Sequence, residues 1–418
     1  MADVLVVGSG AREHIFAQTF LKSPHVNQVF VAPGNPGMQT PGITPVALTT
    51  IPDLVKFAQD KAIALTFVGA EKLLAEGLVD AFEAANLPVF GPTQAAAQLE
   101  SSKAFTKKLL HDYKIPTAMS QTTHSLPQAQ SVLAQHAYPV VIKLDGLALG
   151  KGVHICQTAQ EANTVINAIY TKYADAVLVI EDYLEGVEYS IFSFVGPKQV
   201  VHTPVAQDHK RLLDHDKGPN TGGMGAYSPV RWLSEADIQT AINQLVMPVL
   251  SAMEAEALPF RGVLYTGVMQ TAQGPKVIEY NVRFGDPEAQ VVLPQLQSDL
   301  FENLLDLQQG RPTQMHWQNQ DVYLGVTLAA PGYPEQQLQN LAIPTLPNDI
   351  QIDYAGVTKV ENTLVSRGGR VLTAVSHDKT ATEAQAHVYA ALNQRADDFI
   401  YRRDIGQQAV AFEKMEGL

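Results

Sequence analysis

Short apolar runs alternate with amphipathic stretches over the first hundred positions. Val4 to Val7, Val29 to Ala32, Leu65 to Val68 and Pro88 to Phe90 predict four strands. Helical patterns fill the gaps at Ala11 to Lys22, Pro52 to Lys61 and Lys72 to Asn86. Strands that alternate with helices imply a parallel sheet covered on both faces. Thr93 to His111 continues as a helix with Lys103 inside it. Beyond it the pattern changes. Pro139 to Leu144 and Ala176 to Ile180 read as buried strands, Glu235 to Glu256 as helix, and Val263 to Gln270 and Lys276 to Val282 as strands. From about Asp321, strands at Val322 to Ala329 and Val371 to Val375 precede a helix. Thr380 with Glu383 makes its capping box, and Ala384, Val388 and Leu392 form its apolar stripe. The expected units are 1–101, α/β; 102–320, with a smaller lobe at about 117–187; and 321–418, a small α+β domain.

Composition changes this picture little. A length of 418 residues suits about three domains. Hydrophobic content of 46% and charged content of 17% are those of an ordinary globular chain. The net charge of −13 argues against non-specific binding to nucleic acid or to an anionic membrane. It leaves room for small phosphorylated substrates, which need only a local basic pocket. Cys156 is the only cysteine, so no internal disulfide is expected. The N-terminus runs straight into a strand, and no apolar run approaches 18 residues. A cytoplasmic protein is expected.

The chemistry concentrates in Val277 to Glu288, VIEYNVRFGDPE. Strict alternation places Val277, Glu279, Asn281 and Arg283 on one face and Ile278, Tyr280 and Val282 on the other. Glu279 and Asn281 could then flank one small hard cation. The plain alternative is an edge strand with a solvated polar face. Pro287 suits the first turn of a helix, which makes Asp286 its expected N-cap and Glu288 a first-turn acid.

Other stretches point the same way. Gly8-Ser9-Gly10 precedes a helix and could cradle a phosphate, with Arg12 beside it. A dinucleotide fingerprint is disfavoured, because Glu13 stands where the third glycine belongs and no acid ends the second strand. Lys143 to Val153, KLDGLALGKGV, makes a flexible phosphate cover of three glycines and two lysines, without Walker A order. The acids of Glu181 to Glu188 could be a solvated loop or could serve an adenosine. Asp208 to Pro229 is long, polar and glycine-rich, as functional loops often are. Its Asp208, His209, Asp214 and His215 look like metal ligands, but no regular element fixes their spacing. Arg367-Gly368-Gly369-Arg370 could face a ligand or be a plain hairpin.

Together, GSGAREH (8–14), APGNPG (32–37), SKAFTK (102–107), KLDGLALGKGV (143–153), QDHKR (207–211), GPNTGGMGAYSP (218–229) and EYNVRFGDPE (279–288) resemble the phosphoribosylamine–glycine ligase family of the ATP-grasp superfamily. The match runs in order from residue 1 to Gly406. Three departures lie beside the ligand-contacting positions: Leu149 in the glycine-rich loop, Ala11 in the first turn, and VGAEKLL at 68–74, which lacks the family's two prolines.

The resemblance implies a Rossmann-like pre-ATP-grasp domain, a two-lobed ATP-grasp domain and a small C-terminal α+β domain. It implies that ATP, glycine and 5-phosphoribosylamine give ADP, phosphate and glycinamide ribonucleotide through glycyl phosphate, an early step of purine synthesis. Arg283 and Lys143 would be catalytic, and Glu279 and Asn281 would hold Mg²⁺ or Mn²⁺. ATP would contact Lys103, Lys143, Gly146, Gly150, Lys151, Gly152, Glu181, Asp182, Leu184 and Glu188. Glycine and the ribosylamine would contact Gly8, Gly10, Arg12, Asp208, Lys210, Asn220, Thr221, Gly222, Gly223, Arg283, Asp286 and Glu288. A monomer without nucleic-acid or membrane partners is expected. Rival readings are another ATP-grasp ligase, a nicotinamide-dependent dehydrogenase and an inactive nucleotide-binding module.

Overall fold

The computed structural model describes residues 1–147 and 152–417. Gly150 and Lys151, expected contacts of ATP in the glycine-rich loop, lie outside them, as does the departure at Leu149. The first unit is a five-stranded parallel sheet in the order Ile43–Pro45, Val26–Pro33, Ala2–Gly8, Leu65–Val68, Val89–Phe90. The expected four strands are all in it. Ile43–Pro45 is an addition, too short and proline-ended to be seen in the pattern. The expected 72–86 helix is two helices, Glu71–Ala75 and Leu78–Ala84, parted by Gly77 at φ 86°. That left-handed backbone is open to glycine at little cost.

The expected 93–111 helix also divides. Gln98–Ser101 ends at Ser102, whose extended backbone and hydroxyl cap a new helix, Lys103–Asp112. The Asp145 carboxylate accepts from Ser102 Oγ and from Ala104 N–H. This break puts Lys103 at a helix start beside the glycine-rich loop rather than mid-helix.

Two four-stranded antiparallel sheets follow. One, Ser120–Thr123, Leu178–Asp182, Val140–Leu144, Val153–Cys156, has its own apolar core with Ala129, Leu133, Ala162 and Ile166. Val140 and Ile142 enter that core, so Val141 and Lys143 point to the other face. The second sheet is Val200–His202, Val187–Val195, Gly262–Thr271, Gly274–Asn281. The expected 235–256 helix contains a π-helical turn at Ile242–Val246, next to Pro248, which has no N–H to give to the helix. The last sheet joins Val322–Ala329, Arg370–Asp378 and Gln351–Tyr354 to Gln207–Asp208 and Gly225–Ser228, strands from before residue 321. No helix among the described residues is long and apolar enough to cross a membrane.

Alternation fails at the most informative strand. Gly267 pairs with Glu279 and Val268 with Val277, so Ile278 is an extra residue, a β-bulge. The bulge turns Val277 inward to join Tyr280 and Val282 in the main core, and turns Ile278 out. The expected face of Val277, Glu279, Asn281 and Arg283 is thereby corrected to Ile278, Glu279, Asn281 and Arg283. The helix after it is corrected as well. It starts at Ala289, with Glu288 in the N-cap position, and Asp286 caps nothing. The Asp286 carboxylate is drawn elsewhere, to Gln290 and Arg370.

Candidate active site

A cleft of about 920 Å³ opens between the two antiparallel sheets and reaches the first unit and the last sheet. Lys143 reaches it from one sheet and Glu279 and Asn281 from the other. Lys143 Nζ donates to the Ile278 carbonyl at 3.1 Å, so the bulge supplies the acceptor that ties the sheets together.

Beneath Lys143 lies Glu181, with 4% of its surface exposed. Its two carboxylate oxygens stand 2.5 Å from Lys143 Nζ and 2.5 Å from Lys107 Nζ. Burial pushes this carboxylate up, but the two ammoniums outweigh it and hold it below the usual range. Lys107 also donates to Thr117 Oγ1 at 2.7 Å, and burial lowers its pKa. Glu181 therefore acts on the cleft through two lysines. Lys103 donates to the Gly146 carbonyl at 2.8 Å, which brings together two expected phosphate contacts. Asp182 and Leu184 line the cleft with apolar Val141, Ile155 and Met269, and Gly152 lines it too.

Farther along the cleft, Lys210 pairs with Glu188 and lies 3.8 Å from Glu279. Burial pushes the Glu279 carboxylate up, and Lys210, Lys143 and Lys103 bring it below the usual range, so it is ionised. Among the described residues it accepts no hydrogen bond and has Lys210 as its one ion pair. Asn281 Oδ1 accepts from Arg283 at 3.3 Å. An ionised carboxylate and an amide oxygen, both facing the cleft, are the donor types a hard divalent cation takes, so the pair fits such an ion. Burial raises Asp208 far above the carboxylate range and raises Glu288 as well.

Arg283 is held from behind. Glu100 lies 3.1 Å and Glu71 3.8 Å from its guanidinium, and Glu71 is also 3.6 Å from Arg12. Arg12 donates to Glu13 at 2.6 Å and to the Phe284 carbonyl at 3.1 Å. Arg12 reaches the cleft; Gly8 and Gly10 are not among the residues that line it, and a Cβ on Gly10 would lie 3.2 Å from the lining Asp286 Oδ2. The Gly10 N–H donates to Glu13 Oε2 at 2.7 Å, so a carboxylate of the chain itself occupies the turn expected to hold a phosphate.

Asn220, Thr221 and Gly222 line the cleft, and Thr221 donates twice to the Lys210 carbonyl. Gly223 is packed against the VIEYNVRFGDPE stretch. A Cβ there would lie 2.4 Å from Pro287 Cδ, and its φ is 111°, so no other residue fits without displacement. Arg370 closes this corner. It donates to the carbonyls of Gly222, Gly223 and Asp286 and pairs with the Asp286 carboxylate at 3.2 Å.

Sequence reasoning missed Glu71, Glu100, Lys107, Tyr265, Tyr333 and Gln408 on the cleft wall, and left Arg370 undecided. Lys107 closes the SKAFTK stretch and Glu71 sits in VGAEKLL, but neither stretch shows by itself that the side chain reaches the cleft. Asp208, His209, Asp214 and His215 form no metal cluster. Among the described residues the one His/Asp/Glu group with ligand atoms within 4.8 Å is His25, Asp299 and Glu302, where Asp299 caps a helix.

Family models cover most of the chain. Residues 2–100 match the phosphoribosylglycinamide synthetase N domain, 101–289 its ATP-grasp (A) domain and 323–408 its C domain. The phosphoribosylamine–glycine ligase of Lactococcus lactis is 46% identical over 411 residues, covering 97% of this chain and all of that one. That of Streptococcus pneumoniae serotype 4 is 44% identical over 417 residues, with 97% and 99% covered. The crystal structure of the Thermotoga maritima phosphoribosylamine–glycine ligase superposes with a TM-score of 0.84 at 30% identity, over 97% of this chain and 100% of that one. Biotin carboxylase of Campylobacter jejuni, at 13% identity and a TM-score of 0.70 over 96% and 91%, shares the fold. The chain belongs to the phosphoribosylamine–glycine ligase family, with the three-domain ATP-grasp architecture of that family.

Proposed function

We propose that the cleft joins glycine to 5-phosphoribosylamine with ATP, giving N1-(5-phosphoribosyl)glycinamide, ADP and phosphate in purine biosynthesis. The observation that carries this reading is the meeting, in one cleft, of Lys103 and Lys143, ionised Glu279 with Asn281, and Arg283 beside the 208–222 loop. Phosphoryl transfer asks a protein for little covalent chemistry and much positioning and charge neutralisation.

ATP lies with its adenine among Val141, Ile155, Leu184 and Met269 and its ribose near Glu188. Lys103 and Lys143 bind its phosphates, with Gly146 and Gly152 beside them; Gly150 and Lys151 are further expected contacts, outside the described residues. Glu181 and Lys107 set where Lys143 stands. Glu279 and Asn281 would hold Mg²⁺ or Mn²⁺, which when bound draws charge from phosphate oxygens.

A carboxylate oxygen of glycine attacks the γ-phosphorus, and the bond from that phosphorus to the bridging oxygen breaks, releasing ADP. Arg283 neutralises the carboxylate and then the acyl phosphate. The ribosylamine nitrogen attacks the glycyl carbonyl and loses a proton, and the C–O bond to phosphate breaks. Asp208, Lys210, Asn220, Thr221, Gly222, Gly223, Asp286 and Glu288 border glycine and the ribosylamine. Arg12, with Gly8 and Gly10 of the preceding turn, borders the ribosylamine phosphate. A cytoplasmic monomer is part of this reading, supported by the acidic net charge and the lone buried Cys156.

The test is ADP release with MgATP, glycine and freshly made 5-phosphoribosylamine, each omitted in turn. Release that needs all three supports the reading. No release with glycine and the ribosylamine, but release with another carboxylate or amine, overturns the substrates.

A further inference from the structure

The hairpin Arg211–Leu213 with Lys217–Asn220 is a two-stranded sheet by itself, with Leu213 and Lys217 to Pro219 exposed. A lone hairpin is marginally stable in water. Two successive turn residues, His215 and Asp216, are left-handed at φ 59° and 52°, which non-glycine residues adopt at a cost. Yet Arg211, Asp216 and Asn220 of this hairpin line the cleft, as do Lys210 and Thr221 that flank it. Something outside it must hold its shape.

That support is Arg402, nearly 200 residues later, whose side chain is 1% exposed. Nε and Nη2 donate to the two carboxylate oxygens of Asp404 at 2.7 Å each, a bidentate fork. Nη1 donates to Asp216 Oδ1 at 2.7 Å and to the Arg211 carbonyl at 3.2 Å, so it grips the turn and the start of the hairpin together. Asp404 in turn accepts from His215 N–H at 2.8 Å, and Asp214 accepts from Arg403 N–H at 2.8 Å. Tyr389, in the helix Ala381–Leu392, donates to the Arg402 carbonyl at 2.8 Å and fixes the segment to the last domain.

We propose that Arg402 is a positioning residue, a latch from the C-terminal segment that holds the 211–220 hairpin so that Lys210 and Thr221 face the cleft. The identity of the substrate it serves rests on the ligase reading above.

Asp216→Ala tests the latch gently, because that side chain is 72% exposed and its removal leaves Arg402 paired with Asp404. Arg402→Met removes the whole fork from a side chain that does not line the cleft. The KM for glycine should rise about tenfold in Asp216→Ala, the loss of one charge-assisted bond, and at least as much in Arg402→Met, with the KM for ATP unchanged. Amide exchange at 217–221, read without substrates, should quicken in both variants. Unchanged exchange overturns the latch. Faster exchange with an unchanged glycine KM, or with an equal rise for ATP, overturns the positioning role. Wild-type protein without glycine-dependent ADP release would overturn the ligase reading, and the exchange measurement would still decide the latch.

Discussion

Arg370 and Asp286 are joined twice: Nη1 donates to the Asp286 carbonyl at 2.5 Å, and Nη2 pairs with its carboxylate at 3.2 Å. The same Nη1 also reaches the Gly222 and Gly223 carbonyls. One guanidinium from the last sheet therefore fastens the Gly222-Gly223 turn to the segment that follows Asn281 and Arg283. Burial raises Asp286, but Arg370 and Arg12 outweigh it and keep it ionised. Replacing Arg370 by Met removes charge-assisted bonds of ~1.5–3 kcal/mol, which predicts a roughly ten- to hundredfold fall in kcat/KM for glycine. Steady-state kinetics at saturating ATP checks this, and a variant as active as wild type would mean the corner holds without Arg370.

Glu279→Gln separates metal chemistry from folding. The side chain makes no hydrogen bond among the described residues, so the melting temperature should barely move. Turnover should fall by ~10²-fold or more, because several kcal/mol of charge stabilisation is withdrawn. Near-normal turnover would remove Glu279 from the metal site.

Glu181→Gln should do the opposite. It leaves Lys107 and Lys143 buried without their shared carboxylate. Breaking a buried ion pair costs about 3–5 kcal/mol, so thermal unfolding should shift down by several degrees, and the KM for ATP should rise as Lys143 loses its anchor. Unaltered unfolding together with an unaltered KM would show that the two lysines need no counter-charge.

A buried pair between the helix Ala11–Leu21 and the strand Gln351–Tyr354 of the last sheet predicts pH dependence. His14 Nδ1 accepts from the Tyr354 N–H at 3.1 Å and stands 3.6 Å from Asp353 Oδ1. Burial pushes His14 down from 6.5 to about 4 and Asp353 up from 3.8 to about 8. Between pH 4 and 6.5 the unfolded chain gains a proton at His14 and lacks one at Asp353, so the two effects oppose each other. Between 6.5 and 8 only Asp353 of the pair differs: the folded state keeps a proton that the unfolded state has lost, so stability falls as pH rises. The melting temperature should decline across that window in wild type and decline less steeply in Asp353→Asn, where Asp208, also raised by burial, still contributes. A level wild-type profile would contradict a protonated Asp353.

Elements whose pattern is local could be read from the chain. Val140 to Leu144 is a short apolar run legible as a buried strand, and the strand period of two then puts Lys143 on the face opposite Val140 and Ile142, which is the cleft face. The bulge at Ile278 could not be read, because it exists only through pairing with Gly267 and Val268. The same holds for the break at Ser102, which depends on an aspartate 43 residues away. Glu279, Asn281 and Arg283 are legible as a polar row, and the bulge preserves that row while moving Val277 out of it. Glu100, Lys107, Arg370 and Arg402 are not legible as functional residues, since each acts by holding another side chain or a loop across the fold.

The glycyl phosphate route leaves a mark in the released phosphate. Glycine carrying ¹⁸O in both carboxylate oxygens is turned over with MgATP and 5-phosphoribosylamine, and the phosphate is examined by mass spectrometry. If the carboxylate attacks the γ-phosphorus and the acyl phosphate is then opened by the amine, each phosphate carries one ¹⁸O and the amide keeps the other. Phosphate released without ¹⁸O would contradict the glycyl phosphate route through this cleft.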